Sequence, residues 1–322
     1  MFTNLIRPFF KHKRLLPDSG ISTGTVIEQK HLHVTQQSIA SSFKYICIWQ
    51  ENAATVNMRA KSRHTALTLA STYGQNDVLR LLFKHDVDVN VAGPCQNTAL
   101  HFASQRGHVE TVELLLGSGA NIEAQNERQE TALAMALTHE QFPVATALLM
   151  RGGNINTQGI NENTPLTRSA FDGRIETMKF ILAHGGDKSM ATSKNETAFI
   201  IACGRNLLSV VELLIEQECS IEERDMCGRS ALMLACMMNR APLASLLIAN
   251  DIDLDATDER GYTALMFASQ NSKLHDIVKM LCSHGAGTTE SYPIPVLEIS
   301  DSLIVSSLYR FILLLFLFYY YF

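Results

Sequence analysis

The sequence repeats itself every 33 residues. Aligning Thr65, Thr98, Thr131, Thr164, Thr197, Ser230 and Thr263 holds one register through six intervals with no gap. Two places after each anchor stands a large apolar residue: Leu67, Leu100, Leu133, Leu166, Phe199, Leu232, Leu265. Five places after it stands a small one: Ala70, Ala103, Ala136, Ser169, Ala202, Ala235, Ala268. Paired aliphatics such as Leu81-Leu82, Leu114-Leu115 and Leu246-Leu247 follow. A period of this length, kept through seven copies, confines the chain to an architecture in which each unit packs on its neighbours.

A single copy shows what that unit is. From Thr98 to Gly107, the residues Leu100, Phe102 and Ala103 make one face of a short helix. From His108 to Leu116, Val109, Val112, Leu115 and Leu116 recur at spacings of three and four, a second amphipathic helix. Gly119 offers the left-handed conformation that lets a chain leave a helix. The stretch Asn121–Asn126 is too short and polar for a third helix and suits an extended hairpin. The pattern of helix, turn, helix, hairpin predicts an all-α solenoid, because no copy can bury its apolar face alone.

These residues resemble the ankyrin-repeat family: its Thr-Pro-Leu-His-x-Ala helix start (with Ala99 in the proline place), a Gly-His turn and a Leu-Leu-x-x-Gly-Ala-x-Ile ending, from Thr98 to Ile122. The resemblance covers about residues 65–287, with a degenerate half-copy at Lys44–Asn57. It implies helix-turn-helix-hairpin repeats in an elongated, curved stack. The expected organisation is a poorly ordered basic leader (1–42), a degenerate capping repeat (43–64), seven repeats (65–290) and a hydrophobic tail (291–322).

The departures from the pattern carry information of their own. Pro143 and Pro242 share one phase, where the second helix begins and a missing N–H costs nothing. The ending glycine is replaced by Asp86, Glu218 and Asp251, which predicts looser helix exits in three repeats. Arg168 stands where the other copies carry Leu69, Phe102, Met135, Ile201, Leu234 and Phe267; it is either a local weak point or a functional polar group. The last copy needs one extra residue between Ala268 and Val278.

Charge and cysteine content exclude some functions. Residues 1–64 carry nine Lys+Arg against three Asp+Glu, whereas residues 65–290 carry 17 against 27. An acidic body argues against direct nucleic-acid binding. Seven cysteines without a Cys-x-x-Cys pair suit reduced thiols in the cytoplasm or nucleus. Cys203 and Cys236, 33 apart, occupy a packing position between stacked helices rather than a redox pair. His31 and His33 lack further ligands. The run Asp251, Asp253, Asp255 lacks the glycine and distal glutamate of a calcium loop and is expected to be a solvated acidic edge. No phosphate loop, nucleophile elbow or His-Glu-x-x-His motif occurs. The expected protein is a non-enzyme without cofactor or metal.

Two segments fall outside the repeat. The first seventeen residues, with Arg7, Lys11, Lys13 and Arg14 and no acid, fit either a mitochondrial-type presequence or a plain basic leader. Residues 303–322 include thirteen Leu, Ile, Val or Phe, enough to offset about 3 kcal/mol for Arg310 in a bilayer. The alternatives are a membrane anchor, a greasy cap folded on the last repeat, or a poorly selected end of the coding sequence.

Surface remains as the carrier of function. The expectation is a monomeric protein–protein interaction scaffold or adaptor, cytoplasmic and possibly nuclear, that binds a protein partner along its concave face. The alternative is the same scaffold tethered to a membrane through residues 303–322. In the family the hairpin tips and the exposed side of the first helices supply contacts, which implicates Arg59, Lys61, Arg63, Arg128, Glu130, Glu222, Glu223, Arg224, Glu259, Arg260 and Tyr262. This set runs from basic to acid-rich, so either a partner presents basic segments to repeats five to seven or these charges only keep the array soluble.

Overall fold

The computed structural model describes residues 57, 59–60, 62–269 and 275–287. The leader, most of the expected capping repeat, Lys61 and the tail lie outside the described residues, as do the readings placed on them. Among the described residues there are fourteen α-helices and no β-strand. Repeat 1 consists of α1 (Ala66–Thr72) and α2 (Asn76–Leu82), repeat 2 of α3 (Ala99–Arg106) and α4 (Val109–Gly117), and repeat 3 of α5 (Ala132–Thr138) and α6 (Phe142–Met150). Repeat 4 holds α7 (Pro165–Asp172) and α8 (Ile175–Ala183), and repeat 5 holds α9 (Ala198–Arg205) and α10 (Leu208–Glu216). Repeat 6 holds α11 (Ala231–Met237) and α12 (Ala241–Ile248), and repeat 7 holds α13 (Ala264–Ser269) and α14 (His275–Ser283). No helix among the described residues is long and apolar enough to cross a membrane.

The anchor residues are helix N-caps. The hydroxyls of Thr65, Thr131, Thr164, Thr197 and Ser230 each accept the N–H three residues on, at 3.2–3.4 Å. Such a cap contributes about 1 kcal/mol relative to alanine. Second helices have no side-chain cap, and Pro143 and Pro242 sit in the first turns of α6 and α12. These helices exist because their apolar face is covered. The large residue two places after each anchor is buried, and Ala70, Ala103, Ala136, Ala202, Ala235 and Ala268 are fully enclosed, so adjacent first helices approach closely.

Chain direction is reset by left-handed residues at three recurring phases. One lies two places before the anchor (Gln129, Asn195, Gly228), one nine after it (Gly107, Asn206, Asn239) and one 21 after it (Gly119, Gly152, Gly185). At the third phase Glu218 and Asp251 adopt φ +55° and +59°, although neither is glycine. The helix exits expected to loosen there keep the family geometry and bear its strain; Asp86 does not turn left-handed. A side chain in this conformation costs roughly 1–2 kcal/mol, partly offset by lower unfolded-state entropy. Glu218→Gly and Asp251→Gly should therefore each stabilise the protein by about 0.5–1 kcal/mol in urea unfolding. A neutral or destabilising result would show that the carboxylates hold the exits.

Neighbouring repeats are also joined by polar side chains that reach backward. The His108 ring donates to the Thr72 carbonyl at 3.1 Å, Arg174 donates to the Thr138 carbonyl, and Arg240 donates to the carbonyls of Cys203 and Gly204 at 2.8 and 2.6 Å. Each closes the C-terminal end of the preceding first helix, whose last carbonyls lack intrahelical donors. First helices pack on one another more closely than second helices do.

One junction departs from this regularity: α5 and α7, in repeats 3 and 4, are less closely packed than any other adjacent first helices. Repeat 4 differs in sequence from the other copies at this junction. Pro165 stands where the other six copies have alanine, Ser169 likewise, and Arg168 replaces an apolar residue. All three line the cleft that opens between these repeats.

Candidate functional site

The hairpins are built from turns rather than from the extended strands the sequence suggests. Among the described residues only one isolated bridge occurs, Arg224 with Ser230. At five places before the anchor, an acceptor side chain organises the tips that lead into repeats 3, 5, 6 and 7. Asn126 Oδ1 accepts the N–H groups of Arg128 and Glu130 at 2.8 and 3.0 Å, and Asp258 Oδ1 those of Arg260 and Tyr262 at 2.9 and 2.8 Å. Asp225 Oδ1 does the same for Cys227 and Arg229, and its other oxygen meets the Arg229 guanidinium at 2.6 Å. Burial alone would raise the Asp225 pKa, but Arg229 and the two N–H groups outweigh it and hold the carboxyl below the usual range. Where glycine occupies this place, at Gly93 and Gly159, the tip becomes a short 3₁₀ turn with two left-handed residues, Cys95–Gln96 and Asn161–Glu162.

A second periodic acceptor, eight places before the anchor, ties each hairpin to the next repeat. Asn90 accepts from Asn121 N–H at 2.7 Å, Glu123 from Asn154 at 2.8 Å, Asn156 from Asp187 at 2.8 Å, and Glu222 from Asp253 at 2.8 Å. Asp255 accepts from Gly287 N–H at 2.7 Å, and Asp253 from Asp255 N–H at 3.0 Å. The aspartates at 253 and 255 thus lie on the hairpin edge, Asp253 exposed, and also accept backbone N–H groups there. No group of three metal-capable side chains forms among the described residues.

The residues implicated by the sequence divide into two kinds. Arg59, Arg63, Arg128, Glu259 and Arg260 are exposed on the tips, and Tyr262 is half-buried against Phe267, ring centroids 5.6 Å apart. Glu130 is half-buried, its carboxylate 3.4 Å from the Asn126 amide. Glu222 carries the rung to Asp253, Glu223 accepts the Thr197 hydroxyl, and Arg224 donates to the Thr257 carbonyl. Burial raises the Glu223 pKa against the lowering by Thr197. These three side chains hold repeats together as well as facing the surface. Lys61 lies outside the described residues.

Sequence reasoning missed the cleft at the loosened junction. It is a cavity of about 280 Å³ between repeats 3 and 4, floored by Thr177 and walled by Leu137 and Thr138 on one side and Arg168 and Asp172 on the other. Arg168 Nε donates to Asp172 Oδ2 at 3.3 Å, and Arg174 lies 3.6 Å from both Asp172 and Glu140. The Thr177 hydroxyl, on a residue 2% exposed, has no hydrogen-bond partner. Thr111, at the same phase two repeats earlier, donates to Asn76 at 2.7 Å; the counterpart of Asn76 below Thr177 is Phe142. The backbone bonds between tips (Cys95 with Glu127, Asn161 with Ser193, Lys194 with Met226, Cys227 with Glu259) have no equivalent between Arg128 and Ile160. The signal was present in Pro165, Arg168 and Ser169, which all depart from the repeat on one helix face.

His101 is the buried titratable ring of this face. Its Nδ1 accepts from the Thr98 N–H at 3.1 Å, and its Nε2–H donates to the Glu130 carbonyl at 2.9 Å, joining repeat 2 to the tip of repeat 3. Desolvation lowers its pKa below 6.5, against raising contributions from Glu130. The ring is therefore neutral when folded and takes up a proton on unfolding. Stability is full above pH 6.5 and falls below it, by up to about 1.4 kcal/mol per pH unit from this group. His101→Gln should flatten the profile between pH 6.5 and 5; urea midpoints across that range, unchanged in slope, would refute the assignment.

The buried thiols of the stack are held protonated, whereas Cys95 and Cys227 are exposed. Burial raises the Cys236 pKa to about 12 and that of Cys219 to about 11, and the six described cysteines are free.

The sequence matches the family model described as ankyrin repeats (three copies) in four overlapping stretches, residues 30–126, 86–159, 133–225 and 221–291. Among solved structures it is similar to the crystal structure of the ankyrin repeat domain of Bcl-3, described as a unique member of the IkappaB protein family. Identity is 23% over 68% of this chain and 96% of that one, with a TM-score of 0.58, a likeness of fold. No curated protein matches the chain.

Proposed function

Since the chain belongs to the ankyrin-repeat family, we propose that it is a non-enzymatic scaffold that binds a protein partner through its hairpin tips and first helices. The family's general use of such repeats is protein–protein interaction. The observation that carries the reading is where large apolar side chains remain uncovered. Six of the nine lie on one side of the repeats: Tyr73, Phe171, Met237 and Met238 at the ends of first helices, and Ile160 and Met226 on tips; Leu81, Val109 and Met150 are scattered on second helices. Met226 is 61% exposed, and the Arg205 guanidinium lies 4.0 Å above the Phe171 ring. Aromatic residues, methionine and arginine are the types enriched at interfaces, and concentrated exposed apolar surface marks a binding site.

Affinity in such an arrangement comes from a few anchors on a rigid frame rather than from area. The free thiols accord with a reducing compartment, cytoplasm or nucleus. A photo-crosslinking residue at Met226 or Phe171 of the full chain, introduced in cells, should yield discrete heavier adducts. The same residue at Met150, on a second helix, should not. Equal labelling from both faces, or none from the tips, would sink the reading. Glu222 and Glu223 are poor probes of binding, because their loss also breaks bonds between repeats; Glu259→Lys and Arg260→Glu test the tip charges more cleanly.

A further inference from the structure

We propose that the cleft between repeats 3 and 4 takes the carboxylate of an Asp or Glu side chain on an extended segment of the partner, with Arg168 as the selecting residue. The inference rests on the scaffold reading above and names one contact within it. Its first ground is charge. The repeat body is strongly acidic, yet the cleft carries three arginines, Arg128, Arg168 and Arg174, against the carboxylates of Glu130 and Asp172.

The second ground is unused donor capacity. Arg174 is held by the Thr138 carbonyl and two carboxylates. Arg168 spends only its Nε, on Asp172, and its two terminal nitrogens have no partner among the described residues. The Arg128 side chain has none there either. A guanidinium whose terminal nitrogens are open presents the planar fork that matches a carboxylate.

The third ground is Thr177. Its hydroxyl is buried and unsatisfied on a residue that lines the cleft, although valine stands at this phase in Val78, Val144 and Val210. Ser71 and Ser104 are also unpartnered but do not line the cleft. An isolated buried hydroxyl is disfavoured unless something completes it. A carboxylate entering past Arg168 can accept from it. The volume suits one side chain and its flanking backbone, since sites for drug-sized ligands run from about 300 Å³ upward.

The residue that introduces the charge, Arg168, lies at the junction where α5 and α7 are least closely packed. Arg168→Leu restores the residue type that the other repeats use and should leave the fold intact, which a thermal melt verifies.

The experiment is selection of a displayed library of random peptides, about twelve residues long, on the full-length protein, on Arg168→Leu and on Thr177→Val. The wild type should enrich peptides with an Asp or Glu at one fixed position. A resynthesised peptide with that Glu replaced by Gln should bind the wild type about tenfold more weakly. Arg168→Leu should lose about tenfold for the Glu peptide and little for the Gln peptide, and Thr177→Val should lose a smaller factor with the same selectivity. A phosphoserine peptide that binds while its Glu counterpart does not would overturn the carboxylate assignment. Peptides enriched without an acidic position, insensitive to Arg168→Leu but lost in Met226→Asp, would overturn the cleft and leave the scaffold standing. No enrichment by any protein would count against both.

Discussion

Phe199→Ala should destabilise the protein by about 3–5 kcal/mol, more than any other single truncation of its core. Phe199 is the largest fully buried side chain, 1% exposed, at a phase where every other repeat has leucine. It sits on α9, which packs against α7 on one side and α11 on the other. In a stack held by nearest-neighbour interfaces, a cavity there weakens repeat 5 and both couplings through it. Urea unfolding followed by circular dichroism should show a lowered midpoint and a broader transition, as repeats 6 and 7 separate from the rest. Phe199→Leu, which restores the usual residue, should cost less than about 1.5 kcal/mol. If the alanine variant loses no more than the leucine one, Phe199 is not the centre of packing described above.

Asp225→Ala is the second large effect, about 3 kcal/mol. The carboxylate is almost fully buried; it receives two backbone N–H groups and the Arg229 guanidinium, so its removal strands three donors in one tip. Asp225→Asn keeps an acceptor, as Asn126 does at the same phase, and should recover most of the backbone part. Because the folded pKa lies below the ordinary 3.8, this contribution is full above pH 3.8 and is lost as pH falls through the folded value. A wild type that loses no more stability than Asp225→Asn below pH 4 would rule out the paired carboxylate as an acid-sensitive element.

The repeat made much of this structure legible in advance. Anchors spaced by 33 are the N-caps, the small residue five places on is the closest helix contact, and Pro143 and Pro242 begin second helices as their phase requires. Local rules suffice there because each feature repeats one short-range bond. The bond from Glu222 to Asp253 was not legible locally because the two are 31 residues apart. Yet the alignment contains the clue: Asn90, Glu123, Asn156, Glu222 and Asp255 place an acceptor at one phase. Glu218 and Asp251 show the opposite case, where stacking forces a left-handed exit that the residue itself disfavours. Arg168 was visible as an exception, but a cleft needs its neighbours. Only when Pro165, Ser169 and Gly159 are placed beside it do separated helices and an interrupted row of tips follow.

That interruption also has a mechanical meaning. Tension applied along a solenoid is carried serially, so the array yields first where adjacent turns pack least closely. Between repeats 3 and 4 the tip-to-tip backbone bond is missing and the first helices are least closely packed. A pulled molecule would therefore part into a three-repeat and a four-repeat block before either block unravels, with the joint acting as a soft coil between two stiffer springs.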